Sequence, residues 1–508
     1  MVVSVASDEP AFRLKPLRLG IDTHQELVVY LRRNSHVCRS EGFTSSNRVQ
    51  IRIGDRSILA TLSIVNDDTL LKPGEMGLSE SAWQRLQPSE ASEAHIRHPD
   101  PVLSLSHLRH KIYGHRLNEE QTQEIINDMV AGRYSDVHLS SFVTACAGDN
   151  LDQDEIIALT RAMLNSGRKL DWGQSRIVDK HCVGGLAGNR TTPIVVAIVT
   201  ACGAIMPKTS SRAITSPAGT ADTLATMTPV ELSLETLQKV VTQEGGCLAW
   251  GGSVNLSPAD DILIRVERML DLDSEGQMVA SVLSKKAAAG SSHVLIDIPL
   301  GPTAKVRSEE AADLLSRHLI TTGKALGLEV RVLRTDGTQP VGRGIGPVLE
   351  AKDLLSVLRC ETHAPEDLRA RALLLAGELL EMADLAEPGK GWALAEKTLD
   401  SGAALAKFIA ICQAQGGFKE PQLAPYQFNW LSPQAGQVTS IDNRQLSQLA
   451  KLAGAPEDPA AGVTLEVKLG DRLEVGQRLL TLHAASPGEL QYAVDFLEAH
   501  PDMIGVCA

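Results

Sequence analysis

Val178–Asp222 reads VDKHCVGGLAGNRTTPIVVAIVTACGAIMPKTSSRAITSPAGTAD, and the fold is decided by how this stretch is punctuated. A strand-like run, Arg176-Ile177-Val178, leads into Lys180-His181-Cys182-Val183-Gly184-Gly185-Leu186-Ala187-Gly188. That loop ends at Thr191-Thr192-Pro193, a helix start in which Thr suits the N-cap and Pro the first helical position. An apolar helix follows, and then a second loop, Thr209 to Thr220, repeats the recipe of hydroxyls, Gly and a cation. Free N–H groups at a helix start, flexible backbone, hydroxyls and a Lys or Arg make an anion site. Two such loops about thirty residues apart, each with its own cation, point to a phosphate held from both sides, against the plainer reading of two ordinary βα turns. Gly188-Asn189-Arg190-Thr191 lacks the Gly-Lys-Ser/Thr ending of a Walker A loop, and no G-x-G-x-x-G signals a dinucleotide fold.

On the N-terminal side, residues 1–98 read as a β-rich domain, with strands expected at Glu26–Arg32, Arg48–Ile53 and Ser57–Val65 and a helix at Leu78–Leu86. His98-Pro99-Asp100-Pro101 marks a linker. Residues 99–170 turn helical, with acidic residues opening a helix after Asn118 and further helices at Leu139–Ala147 and Asp152–Ser166. On the C-terminal side, helices headed by Ser257 and Ser274 return to that helical lobe at about 257–290. Residues 171–256 and 291–415 alternate strand and helix, and 416–508 form a small α+β module. Within that module Leu465–His483 has the look of a biotinyl-domain turn, but no Met-Lys carrier motif accompanies it.

Composition limits the function classes. The chain has 508 residues, 43% hydrophobic and 22% charged, enough for two to four domains of an ordinary globular protein. A net charge of −13 argues against nucleic acid as a partner, while a local cluster of Lys180, Lys208 and Arg212 still allows a small anion. Eight scattered cysteines without C-x-x-C give neither a zinc pattern nor a disulfide framework. A polar N-terminus and the short apolar run Ile194–Met206 fit neither a signal peptide nor a membrane span, so a cytoplasmic location is expected.

Lys180-His181 before Gly184-Gly185, then Ser210-Ser211-Arg212 and Gly219-Thr220-Ala221-Asp222, resembles the pyrimidine-nucleoside phosphorylase family, which includes thymidine phosphorylase. The string SSRAITSPAGTAD and the chain length are closer to its long branch, which resembles AMP phosphorylases. The resemblance spans roughly residues 100 to 500. It implies an α/β plus α fold of two lobes, helical and mixed α/β, with an added β-rich N-terminal domain and a small C-terminal module. It further implies a homodimer or higher homo-oligomer, no cofactor or metal, and inorganic phosphate as co-substrate.

By the same resemblance, Lys180, Thr192, Ser210 and Thr220 hold phosphate with the Gly184-Gly185 backbone, and Cys182-Val183 and Asn189-Arg190 depart from the pattern. Ser281 and Lys285, four apart on one helix face, are placed against the base; spacing alone equally fits a solvated face. Asp273 is implied as proton donor to the leaving base, in a crowd of carboxylates (Asp271, Asp273, Glu275) that raises at least one pKa. His181 is the competing donor. A substrate carrying its own 5′-phosphate needs a second anion site, for which the resemblance offers Lys305 and the Ser211, Arg212, Ala213, Ile214, Thr215 and Ser216 loop. An isolated Lys beside a Gly-Pro turn is otherwise an ordinary surface residue. The expected activity is phosphorolysis of a nucleoside or nucleoside 5′-monophosphate. The alternatives are a phosphoribosyltransferase of the anthranilate type and a non-catalytic anion-binding regulator.

Overall fold

Apolar residues alternate with polar ones along the first strands, as a half-buried sheet requires, and the sheet closes on itself. A computed structural model describes residues 13–507 of the protein, apart from 68, 90, 214, 215, 255, 271 and 273. Strands β1 (Arg13–Arg18), β2 (Val28–Arg32), β3 (Arg48–Ile53), β4 (Arg56–Val65), β5 (Glu75–Leu78) and β6 (Ala94–Arg97) form a closed barrel in the order β1-β5-β2-β4-β3-β6. Its interior is filled by one side of each strand, including Val29, Leu31, Val49, Ile51, Ala60, Leu62, Met76 and Leu78. Closure leaves no open sheet edge. Two short helices, α1 (His36–Glu41) and α2 (Glu80–Leu86), sit between strands.

Helices α3 (Leu105–Ile112), α4 (Glu119–Val130) and α5 (Asp136–Ala145) follow. Asn118 caps α4 and Gln121 reaches back to it, so the start signal in the sequence is a true capping box. Contacts divide the chain into two units. One runs to Cys146 and includes Ile262–Leu270; the other comprises Ala147–Asp261 and Asp271–Ala508.

The second unit opens with α6 (Gln153–Asn165), capped by Asp152, and carries the βα-alternating stretch. Here β7 (Val178–Cys182), α7 (Thr191–Ala201), β8 (Met206–Ser210), α8 (Thr220–Ala225), α9 (Leu234–Glu244), β9 (Gly246–Trp250), α10 (Pro258–Leu270, which from Ile262 belongs to the first unit) and α11 (Glu275–Ala288) succeed one another. Then come β10 (His293–Leu300), α12 (Glu309–Ala325) and β11 (Glu329–Asp336). Strands β7, β10 and β11 pair in parallel in the order β11-β10-β7, and β8 pairs in parallel with β9. The two ladders touch through one bridge, Ile177 to Ile205, with the Val178 amide donating to the Ile205 carbonyl at 3.0 Å. That bridge lies at the amino ends of β7 and β8, so their carboxyl ends carry no ladder between them.

Helix α7 is apolar throughout because it is enclosed: Ile194 to Val199 have no exposed surface. Its core neighbours come from α13 (Pro347–Leu358, preceded by the short β12, Gly344–Ile345), α14 (Glu366–Met382), α15 (Gly391–Asp400) and α16 (Ala403–Gln415).

The C-terminal elements are β13 (Tyr426–Leu431), β14 (Gly436–Ile441), α17 (Asn443–Leu452), β15 (Gly462–Leu465), β16 (Arg472–Leu473), β17 (Arg478–Ala484), α18 (Pro487–Ala499) and β18 (Ile504–Cys507). They build two small sheets, β12-β15-β17-β13 and β16-β14-β18, around a core that also takes in Ala187 and Ile345. Among the described residues no helix is long and apolar enough to cross a membrane.

Candidate active site

In open parallel sheets the ligand crevice lies beyond the carboxyl ends of strands whose connections leave in opposite directions. Here the chain leaves β7 toward β8 and leaves β10 toward β11, so the switch point falls between β7 and β10. The boundary expected from sequence shifts at this point. Lys180, His181 and Cys182 belong to strand β7, and the first loop begins only at Val183. Helix α7 starts at Thr191, which puts Pro193 third in its first turn rather than first. Thr209 and Ser210 likewise end strand β8.

Lys180 is 1% exposed, and its ammonium donates to Thr191 Oγ1 at 2.8 Å and to Thr192 Oγ1 at 3.4 Å. It therefore stands at the N-terminus of α7 with hydroxyls as its hydrogen-bond partners among the described residues. Thr220 joins the same neighbourhood through Arg190, which donates to Thr220 Oγ1 at 2.8 Å, to the Ala218 carbonyl at 3.0 Å and to Glu350 Oε2 at 2.6 Å. Burial holds the Glu350 carboxyl above its usual range despite the Arg190 partner. Arg190, one of the departures from the family pattern, is thus the tie between the two loops. Ser210 offers a buried hydroxyl with no partner among the described residues.

The glycines explain how closely the loops approach. A Cβ on Gly185, at φ +76°, would lie 2.3 Å from the Lys305 amide nitrogen in the loop after β10. A Cβ on Gly219 would lie 2.5 Å from the Arg212 carbonyl carbon, where the second loop folds onto itself. Gly184 is also left-handed but faces open space.

Arg212 does not present a free charge. It donates to Asp222 at 3.1 Å and Glu231 at 2.7 Å, and its guanidinium lies 5.0 Å over the Trp250 ring. Asp222 in turn accepts from the Ala213 and Gly219 amides at 2.6 and 2.9 Å. These groups shape the second loop; Ser211 contributes its carbonyl to the Ala221 amide, and Ser216 its hydroxyl to Ala218. Ile214, Thr215 and Asp273 lie outside the described residues.

Sequence reasoning named Lys208 and Lys285 but missed the buried carboxylates that pair with them beneath these loops. Asp179, fully buried, faces Lys208 at 3.5 Å and Lys286 at 2.8 Å. Burial pushes its carboxyl up, but the two lysines outweigh that and hold it below its usual range. Lys285 pairs with buried Asp260 at 2.7 Å, one turn beyond Ser281 on α11. The adjacent sequence Asp179-Lys180 and the doublet Lys285-Lys286 were the available signals.

His181 is partly open to solvent at one edge and otherwise enclosed. Enclosure and the four lysines 286, 208, 285 and 180 hold its pKa well below the ordinary histidine value. It is a neutral imidazole. Cys182 is also held protonated, pushed up to about 12 by burial and then by Asp297, and it accepts from Asn189 Nδ2 at 3.3 Å. As a thiol it is a weak donor where the family pattern has a hydroxyl.

A second missed residue is Asn443, 1% exposed at the start of α17. It accepts from the Ala187 amide at 3.4 Å and donates from Nδ2 to Thr303 Oγ1 at 2.9 Å and the Gly337 carbonyl at 3.3 Å. One amide thereby ties together the loops that follow β7, β10 and β11.

Residues 105–167 match the glycosyl transferase family helical bundle domain, 174–405 the a/b domain of that family, and 437–501 the pyrimidine nucleoside phosphorylase C-terminal domain. A "Putative thymidine phosphorylase" of Hahella chejuensis is 59% identical over 489 residues, covering 96% of this chain and 97% of the relative. One from Parvibaculum lavamentivorans is 53% identical over 506 residues, covering both chains fully. Anthranilate phosphoribosyltransferase of Thermus thermophilus superposes with a TM-score of 0.51 at 21% identity, over 61% of this chain and 98% of that one, a likeness of fold. With its helical bundle, its α/β domain and near-complete coverage of these relatives, the chain belongs to the thymidine and pyrimidine-nucleoside phosphorylase family of pentosyltransferases.

Proposed function

We propose that the protein cleaves the N-glycosidic bond of a nucleoside or nucleoside 5′-monophosphate with inorganic phosphate. The products are the free base and a (deoxy)ribose 1-phosphate or ribose 1,5-bisphosphate. The observation that carries this is the buried Lys180 ammonium at the N-terminus of α7, held by the Thr191 and Thr192 hydroxyls. An anion there meets the helix dipole, the Thr192 hydroxyl, the Gly184-Gly185 backbone and the unpartnered Ser210 hydroxyl. Thr220 completes the set from the second loop.

In the reaction a phosphate oxygen bonds to the anomeric carbon as the bond to the base nitrogen breaks, and the base leaves with a proton. Charge develops at the sugar and at the base, so fixed cations and dipoles supply most of the rate. A neutral His181 can donate an N–H hydrogen bond to a base but holds no imidazolium proton to give. That supports Asp273 as the donor, with Ser281 and Lys285 beside the base. The family resemblance supports Lys305, in the loop packed against Gly185, as a second phosphate subsite, hence a nucleotide. Release of free base from a panel of nucleosides and 5′-nucleotides, with and without phosphate, tests the proposal. Base release that needs pyrophosphate in place of phosphate, or no base release at all, overturns it.

A further inference from the structure

Between the carboxyl ends of β7 and β8, where no ladder joins them, the space is filled by charge. Lys208 Nζ lies 3.5 Å from Asp179 Oδ1 and donates to the Thr209 carbonyl at 2.6 Å. Lys286 Nζ lies 2.8 Å from Asp179 Oδ2, and the Lys180 amide donates to Oδ1 at 2.7 Å. Lys180, Lys208 and Lys286 are 1, 5 and 4% exposed, and Asp179 is 0% exposed. The Asp179 carboxylate serves two buried ammonium groups, Lys208 and Lys286, while the Lys180 ammonium is held by hydroxyls of α7, and burying an ammonium without its counter-charge is costly. A lysine is not required by the packing of β8, whose neighbours on β9 are Cys247, Leu248 and Ala249.

We propose that Lys208 is a positioning residue of the phosphate site that gains its proton when the anion arrives, so that phosphate binding is linked to proton uptake. This rests on the phosphate reading of Lys180 and adds a regulated charge to it. Lys208 acts through Asp179, whose Oδ1 it shares with the Lys180 amide, and not by touching the anion. In the empty site burial is the largest influence on the ammonium and lowers its pKa. Asp179 opposes that, and Lys286 and Lys180 add to it. The other titratable neighbours do not take the role. His181 stays neutral, Cys247 on β9 stays a thiol with its pKa pushed up to about 12, and Lys285 is paired with Asp260. A dianion at Lys180 supplies the missing negative charge and restores the Lys208 ammonium. The sign follows: a group whose pKa is low in the free protein and higher in the complex takes up a proton on binding, and affinity falls as pH rises through that interval.

Sulfate, a dianion throughout the neutral and alkaline range, separates this from the titration of phosphate itself. Calorimetric titration of the intact protein with sulfate and with phosphate near pH 8, in buffers of different ionisation heat, counts the protons. Wild type is expected to take up a substantial fraction of one proton. Lys208→Arg, permanently charged, is expected to bind with similar affinity and no uptake. Lys208→Met is expected to lose uptake and to raise the phosphate KM about tenfold, or ~1.4 kcal/mol, with a smaller change in kcat. Zero uptake by wild type, or uptake that persists in Lys208→Arg, overturns the inference even if Lys208→Met fails to fold. Wild type that releases no base with phosphate overturns the phosphate reading instead.

Discussion

The backbone of Gly185 lies directly against that of Lys305, with 2.3 Å between the position of an added Cβ and the Lys305 amide nitrogen. The first phosphate loop and the loop after β10 are therefore a single packed unit at the switch point. Gly185→Ala adds the clash and a left-handed alanine at φ +76°, a strain of about 1–3 kcal/mol. Its phosphate KM is expected to rise and its melting temperature to fall by a few degrees. Steady-state kinetics with a thermal melt checks this, and wild-type behaviour in both excludes the contact from function.

Arg190 and Glu350 form a nearly buried ion pair, 12% and 2% exposed. Removing one partner strands the other, which costs about 3–5 kcal/mol in such settings. Arg190→Ala should lose stability on that scale in chemical unfolding and release Thr220 and the second loop. Arg190→Lys should recover only part, since a single ammonium cannot reach Glu350, Thr220 and Ala218 together. A loss confined to a few tenths of a kcal/mol would show that the pair is not holding the loops.

Asn443 predicts a distant effect on catalysis. Asn443→Ala strips the clamp from Ala187, Thr303 and Gly337, losing three hydrogen bonds worth about 0.5–1.5 kcal/mol each. kcat/KM for both substrates is expected to fall about tenfold or more with the far-ultraviolet spectrum unchanged. Unaltered kinetics would reduce the C-terminal module to a passive neighbour of the loops.

His181 should remain neutral well below pH 6.5, because enclosure and four lysines oppose its protonation. The unfolded chain binds that proton and the folded one does not, so stability from this group is present above pH 6.5 and declines as pH falls below it. Buried His483, lowered to about 4, acts in the same direction. Ring-proton NMR of wild type against His181→Asn identifies the resonance. A titration midpoint near the ordinary histidine value would return His181 to the list of proton donors.

The parts of the site legible in the sequence were those written in local chemistry. Gly-rich turns, hydroxyls before an apolar helix and a Pro in its first turn placed Lys180, Thr192 and Thr220 in two loops that the structure joins. Helix starts at Asn118 and Asp152 were readable because capping is decided within four residues. Charge pairing was not readable. Asp179 meets Lys286 across more than a hundred residues, Arg190 meets Glu350 across 160, and Asn443 reaches three loops from the far end of the chain. Arg212 shows the converse: its motif suggested a free cation, yet Asp222 and Glu231 take its charge. Strand β7 was extended past its expected end because pairing with β10, through Cys182 and Asp297, holds Lys180–Cys182 in the sheet.

Substrate choice gives the last prediction. If the substrate carries a 5′-phosphate, Asp273 and Lys305 should matter in different ways. Asp273→Asn keeps size and hydrogen bonding but has no carboxylic proton to donate. It should lower kcat with little change in KM. Lys305→Ala removes a charge-assisted contact worth roughly 1.5–3 kcal/mol, so the nucleotide KM should rise about ten- to a hundred-fold. The KM for the matching unphosphorylated nucleoside should rise by far less, and the ratio between the two is the readout. A thymidine-specific enzyme behaves otherwise: thymidine turns over readily, a 5′-phosphate brings no gain, and His181 substitutions cost more than Asp273→Asn. Equal losses for nucleoside and nucleotide in Lys305→Ala would mean that the Lys305 side chain does not read a second phosphate, and the nucleotide reading falls.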